Sequence, residues 1–330
     1  MQKTAYILFL LLPFTTLFAQ EVQRRAFLEP ADTLSPGRFW ACAGTGAAIY
    51  AGASVGLYQA WYKDYDLTGF HTFNDLGEWE NMDKAGHFFT AYIESNLSFQ
   101  GARWTGLDRR RSTYLAAGVG MLLQGTIEVM DGFSEKWGFS WYDIGFNTMG
   151  VSLFVGQELA WKEQRLLMKV SSTRPSYPSL LVYPVGGGEP MNVQQRVEEL
   201  YGTTYGESFI KDYNGQAIWL SANLKSFLHD EGPSWLPSWL NLAVGYGAQN
   251  MLGGFNNEWE GPNGEMYILD RQAFPRYRQF YLSLDADLSR IPTQKRGLRF
   301  LLGALNWIKI PAPVLEVNTL GKVKFRPLYW

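Results

Sequence analysis

Asp83 and His87 stand four residues apart, a spacing that puts a carboxylate and an imidazole on one face of a helix. Glu94, seven beyond His87, continues the same stripe. Further on, Glu128 and Asp131 are three apart, and Asp143 and Asn147 are four apart, so two later segments carry acidic or amide pairs of the same kind. An imidazole oriented by a carboxylate is what general-base catalysis needs, with His87 as the base and Asp83 or Glu128 as its partner. Lys84, Glu94, Asp131, Asp143 and Asn147 would complete a binding or structural polar cluster around that catalytic set. A divalent metal could be held by Glu128, Asp131 and Asp143, but one histidine among acids is a sparse ligand signature, and no cofactor is predicted. Each acid also has a purely structural use. Asp83 and Asp143 suit helix N-caps. Glu128 and Asp131 sit near a helix C-terminus, where their charge opposes the dipole and calls for a partner such as His87 or Lys84. No His-x-x-x-His pair and no phosphate-binding loop occurs, and His71 and His229 have no obvious companions.

These side chains can meet only if several helices position them. Apolar periodicity predicts helices over roughly 83–101, 111–130 and 141–163. An acid or amide on each of them converges most naturally on one internal site, because facing lipid near mid-bilayer would cost ~2.5–3.5 kcal/mol apiece. Ahead of them runs Phe39 to Tyr62, 24 residues without a charge, long enough to cross a bilayer as a helix. Its Gly52 and Gly56 have the spacing that lets two helix backbones approach closely. The four segments define a small, membrane-seeking helical bundle over 38–163.

The ordered set Asp83-Lys-Ala-Gly-His87-Phe, Glu128-x-x-Asp131-Gly-Phe and Ser140-Trp-x-Asp143-x-x-x-Asn147-x-x-Gly150 resembles the YfiM-type family of predicted periplasmic proteins of unknown function. More remotely it resembles the VanZ-like four-helix membrane proteins, across about residues 39–160. The resemblance implies a compact helical envelope domain with Asp83, Lys84, His87, Glu128, Asp143 and Asn147 at the matching positions, and it implies no established reaction.

Beyond a linker at 164–195, rich in Pro and Gly, and a short helix near 192–201, the period changes from helical to two. Phe280, Leu282 and Leu284 alternate with Tyr281, Ser283 and Asp285; Leu240, Leu242 and Val244 alternate with Asn241, Ala243 and Gly245. Ile218, Leu220 and Ala222 alternate with Trp219, Ser221 and Asn223. Strands with one apolar and one polar face follow, joined by Arg299 to Ile310 and a final pair around Gly321. The expected fold is α+β: about four helices, then an antiparallel β-rich half over 196–330. That half could be a soluble sheet packed on helices, or outer-membrane strands with apolar residues toward lipid. The five to seven strands are fewer than the eight a single-chain barrel needs, which favours a sheet or partial barrel closed by the helices.

Composition narrows the function classes. The formal net charge of −2 gives no electrostatic case for nucleic acid. Aromatic residues reach 16% against 18% charged, a balance suited to a membrane–water boundary. One cysteine, Cys42, excludes an internal disulfide. Lys3, the apolar run Ile7 to Phe18 and Ala19 read as a secretory signal over 1–19. The expected protein is an exported cell-envelope component at the outer membrane or its periplasmic face, whose partner is membrane lipid or another envelope protein. The competing expectation is a hydrolase or transferase on a lipid-linked or cell-wall substrate, using His87 with nearby carboxylates.

Overall fold

A computed structural model describes residues 27–63, 65–228 and 233–330. The signal segment 1–19 and His229 lie outside the described residues. Four helices come first: α1 (Pro36–Leu57), α2 (Met82–Trp104), α3 (Arg109–Gly132) and α4 (Trp141–Ala160). The boundaries have local causes. Asp108 accepts from the Arg111 amide at 3.0 Å and opens α3, and Ser140 accepts from the Asp143 amide at 3.1 Å and opens α4. Helix α2 is the axis of the bundle, burying Met82, Lys84, Phe89, Tyr92, Ser95 and Phe99. The neighbouring helices approach it closely through glycine. A methyl group on Gly150 would fall 2.3 Å from the Phe88 carbonyl oxygen, and one on Gly120 would fall 2.4 Å from Ser95 Oγ.

Helix α1 departs from expectation. It continues through a π-helical turn, Tyr58–Tyr62, in which Tyr62 is buried, yet no side chain of Pro36–Leu57 is buried. No described helix is long and apolar enough to cross a membrane. The physical reason is composition: glycine, alanine, serine and threonine keep the run uncharged but contribute little transfer energy. Gly52 and Gly56 face open space rather than a neighbouring backbone.

The C-terminal half is built on one antiparallel sheet in the order β1-β4-β5-β8-β9-β10. Its strands are β1 (Leu166–Ser172), β4 (Gln216–Asn223), β5 (Leu240–Gln249), β8 (Tyr277–Ala286), β9 (Ala312–Asn318) and β10 (Val323–Tyr329). The sheet therefore begins at Leu166, inside the stretch read as linker. There five consecutive buried residues hide any alternation. A second lobe pairs β2 (Leu181–Val182) with β3 (Met191–Asn192), and β6 (Glu258–Glu260) with β7 (Met266–Ile268). It also holds α5 (Val193–Tyr201), packed on Trp259, Tyr267 and Leu252, followed by α6 (Tyr205–Lys211). The expected strand at Arg299–Ile310 is instead a helix, α7 (Arg296–Ala304), because Leu298, Leu301, Leu302 and Leu305 repeat at helical spacing.

Helices and sheet share one core. Met82, Phe89, Tyr92, Phe99 and Phe154 pack with Met168, Val170 and Ile218. Full burial of each large side chain contributes about 1.5–3 kcal/mol. The remainder of the sheet is turned the other way. Cross-strand partners place Leu220, Val244, Leu282, Leu315 and Phe325 in one outward row, and Ile218, Tyr246, Phe280, Val317 and Val323 in the next. The helices cover the β1 and β4 side of this face, whereas Val244, Leu282, Leu315 and Phe325 are 42–68% exposed. The concave side holds the polar residues. Lys169, Ser221, Asn241, Asp285 and Glu316 are buried there with Trp219 and Tyr281.

The sheet curls tightly. Val170 bonds to Trp307 and Lys309 on the free edge of β1, its amide 3.0 Å from the Trp307 oxygen and its oxygen 2.9 Å from the Lys309 amide. Lys309 is separated from the start of β9 by a chain reach of about 10 Å at most. The interior is filled rather than open. Lys169 Nζ meets Asp285 at 2.9 Å, Lys309 Nζ donates to the Leu284 and Ile310 carbonyls, and Trp219, Tyr281 and Tyr329 stack in sequence.

Candidate functional site

The polar residues of α2, α3 and α4 meet at one end of the bundle. Lys84 is wholly buried, and its ammonium contacts Asp75 at 2.5 Å, Asp83 at 2.9 Å and Asp143 Oδ1 at 2.7 Å. The last is an ion-pair contact whose angles fall outside those of a hydrogen bond. Asp75 also accepts from Ser140 Oγ at 2.6 Å, tying the loop before α2 to the start of α4. Neither Asp83 nor Asp143 caps its helix. Asn81 precedes α2 with a left-handed backbone and no side-chain cap, and Ser140 caps α4.

His87 stands beside this lysine. Its Nε2 faces Glu128 Oε1 at 3.6 Å, Asp143 Oδ1 at 3.8 Å and Asp83 Oδ1 at 3.9 Å. Its Nδ1 lies 3.2 Å from Gln124 Oε1 and 3.1 Å from Asn147 Oδ1. Gln124 in turn donates its amide nitrogen to Glu94 at 2.9 Å, which turns its oxygen toward the ring. Nδ1 therefore carries a proton. Asp131 takes a different partner. It accepts from Tyr62 Oη at 2.6 Å, so it joins the π-helical turn after α1 to the end of α3 without contacting His87.

Charge in this space is unbalanced. Burial alone would raise Asp83, but His87 and Lys84 outweigh it and hold the carboxyl below its usual range. Asp75 is also lowered: hydrogen bonds from Asp143, Lys84 and Ser140 overcome its burial. Burial pushes Asp143 up to about 8, with the Asp83 charge adding to it. Burial likewise raises Glu128 and Glu94 to about 7 and Asp131 to about 6. His87 moves the other way from burial, raised to about 9 by Asp83, Asp143 and Glu128. Burial is the main cause of these raised carboxyls, and for Glu128, Asp131 and Asp143 the neighbouring carboxylates, in excess of the two cationic side chains, add to it.

Glu94 gives a pH test of this electrostatics. Its carboxyl is raised from 4.5 to about 7, so it favours the folded state below pH 4.5 and that contribution is lost as pH rises toward 7. A Glu94→Gln protein should show a smaller drop in denaturation midpoint between pH 4.5 and 7.5 than the unaltered protein. After discounting for partial exposure, the difference should be about 2 kcal/mol. Equal drops in both proteins would contradict the assignment.

Six of the eight residues singled out in the sequence, Asp83, Lys84, His87, Glu128, Asp143 and Asn147, share this space. Glu94 joins through Gln124, and Asp131 stands apart with Tyr62. Sequence reasoning quoted Ser140 within a motif without giving it a role, and missed Asp75, Gln124 and Tyr213, whose hydroxyl donates to Asp83 at 2.9 Å. Gln124 was visible as the residue four before Glu128 on the same helical face. Asp75 and Tyr213 carry no periodic signal. Gly52-Ala-Ser54-Val-Gly56 also spells a nucleophile-elbow pattern, but it lies inside α1 rather than at a strand-to-helix turn. His71 bonds to the backbone oxygens of Gly69 and Trp137 and serves the loop fold.

Residues 72–156, 85 of 330, match a family described as "Predicted periplasmic lipoprotein (DUF2279)". The matched segment contains every residue of the His87 cluster named above except Tyr213. The match supports an exported cell-envelope protein of a family without an assigned activity. No curated protein and no solved structure matches the chain.

Proposed function

We propose that this is a non-catalytic component of the cell envelope that rests on the outer membrane, with the outward face of its curled sheet against lipid hydrocarbon. The single observation that carries this reading is the inverted sheet. Over β5, β8 and β9 polar side chains such as Asn241, Ser283, Asp285 and Glu316 are buried inside while the apolar ones point out, and β10 continues the outward apolar row with Val323 and Phe325. Water would favour the opposite arrangement; an exposed apolar surface of this kind marks a contact with membrane or partner. Two features favour lipid over a protein partner. Strands β5 and β8 have ten residues each, the length of a strand in a bilayer. Helix α7 exposes Leu298, Phe300 and Leu301 next to Arg296 and Arg299, an amphipathic pattern suited to an anionic headgroup layer. The hydrolase reading has less support, because Nδ1 of His87 is engaged by Gln124 and Asn147 and its Nε2 faces carboxylates rather than a nucleophile.

Flotation with vesicles of phosphatidylethanolamine and phosphatidylglycerol tests the proposal. The unaltered protein should float. A Leu282→Asp/Leu315→Asp double variant should bind at least tenfold less while keeping its circular dichroism, since exposed positions in water tolerate such changes within about 0.5 kcal/mol each. Wild-type protein that stays with the bulk, or a variant that floats equally well, would refute lipid docking and leave a protein partner as the occupant of this face.

A further inference from the structure

We infer that His87, Asp83, Glu128 and Asp143 form a binding site for one divalent transition-metal ion of the zinc or manganese kind, independent of the lipid-facing sheet. The argument starts from separations that hydrogen bonding leaves unexplained. The oxygens facing Nε2 stand 3.6, 3.8 and 3.9 Å away, beyond hydrogen-bond reach. A protonated Nε2 among three carboxylates would be expected to close on one of them at about 2.8 Å. A cation with bonds of about 2.1 Å instead spaces tetrahedral donors about 3.4 Å apart, roughly half an ångström or less from the three Nε2–oxygen separations, so the oxygens need only a small inward shift to close on it. One donor atom each from Asp83, His87 and Asp143 lies within 4.8 Å of the others.

The second observation is an orphan. Glu128 is wholly buried and its Oε1 has no hydrogen-bond partner, although it is directed at Nε2. An unpaired buried carboxylate oxygen costs several kcal/mol unless a cation meets it. Its other oxygen accepts from the Ser140 amide, so the side chain is held in that direction.

The surroundings fit a ligand shell. The proton on Nδ1, directed to Gln124 and through it to Glu94, leaves a lone pair on Nε2 for a metal when the ring is neutral. Asp83 keeps Oδ2 on Lys84 and receives Tyr213 on Oδ1, and Asp143 is fixed by Lys84. Four carboxylates, Asp75, Asp83, Glu128 and Asp143, outnumber Lys84 and His87, and a divalent ion with neutral His87 lowers that excess. One imidazole with three carboxylates selects zinc, manganese or ferrous ions ahead of magnesium or calcium, which prefer all-oxygen shells.

Calorimetric titration of chelator-stripped, full-length protein with Zn2+, Mn2+ and Mg2+ tests the site. One equivalent of Zn2+ or Mn2+ should bind, with Mg2+ far weaker. His87→Gln and Glu128→Gln should each weaken Zn2+ at least 100-fold, and Gln124→Ala should weaken it about 10–100-fold. Cobalt provides a readout that needs no variant: Co2+ added to the unaltered protein should give visible d–d bands that Zn2+ displaces. Stripped wild-type protein that takes up neither Zn2+ nor Mn2+, or a folded His87→Gln protein that binds Zn2+ as the wild type does, would overturn the inference.

Discussion

Asp285→Ala is expected to destabilise the protein by about 3–5 kcal/mol, a large share of the total stability of an ordinary domain. Asp285 is the carboxylate that both buried lysines of the curled sheet face. Its Oδ2 pairs with Lys169 at 2.9 Å and accepts from Ser221 at 2.6 Å. Its Oδ1 lies 3.9 Å from Lys309 Nζ. Both lysine side chains are wholly buried, so removing the carboxylate leaves ammonium groups in an interior with no other acid beside them among these contacts. Burial already pushes Lys309 down to about 8, against the pull of Asp285, with Lys169 adding to the depression. Chemical denaturation at pH 7 measures the loss. The companion variant Asp285→Leu/Lys169→Leu should recover part of it, because replacing both members of the closer buried pair by apolar groups removes one of the two stranded ammonium groups. A cost under about 1 kcal/mol for Asp285→Ala would mean that the pair does not hold the curl.

Lys84→Met is expected to cost a similar amount, about 3–5 kcal/mol at pH 7, for the mirror-image reason. It strands Asp75, Asp83 and Asp143 around an apolar side chain that has taken the ammonium's place. The sign with pH separates this from a packing defect. Protonation relieves stranded carboxylates, so the deficit should shrink toward pH 5, whereas a lost packing contact would be indifferent to pH. Adding Asp143→Asn to Lys84→Met should recover part of the stability by removing one of the three charges. A deficit that stays constant from pH 5 to 8, unmoved by Asp143→Asn, would rule out the electrostatic account.

The helices were legible to within a few residues. Expectations of 83–101 and 111–130 correspond to α2 at Met82–Trp104 and α3 at Arg109–Gly132. The turn at Gly321 joins β9 to β10 as expected, with φ at +73°. Convergence of the helical acids could also be argued from spacing, because i and i+4 residues share a face whatever the helix packs against. Other features had no local signature. Asp75 enters from an irregular loop and Tyr213 from the far half of the chain, so no period marks them. Strand β1 hides its alternation because both of its faces are covered.

The amino-acid order alone determined the three bundle helices α2, α3 and α4, the alternation of β4, β5 and β8, and that an acid-and-imidazole set lies on three helical faces. These follow from propensity and period, which act over a few residues. Which face of the sheet turns inward was decided only by the tertiary structure. A period of two reads the same whether its apolar residues point in or out. Only the curl of six strands, with residues 307–309 on the edge of β1, sets the polar side within and the apolar side without.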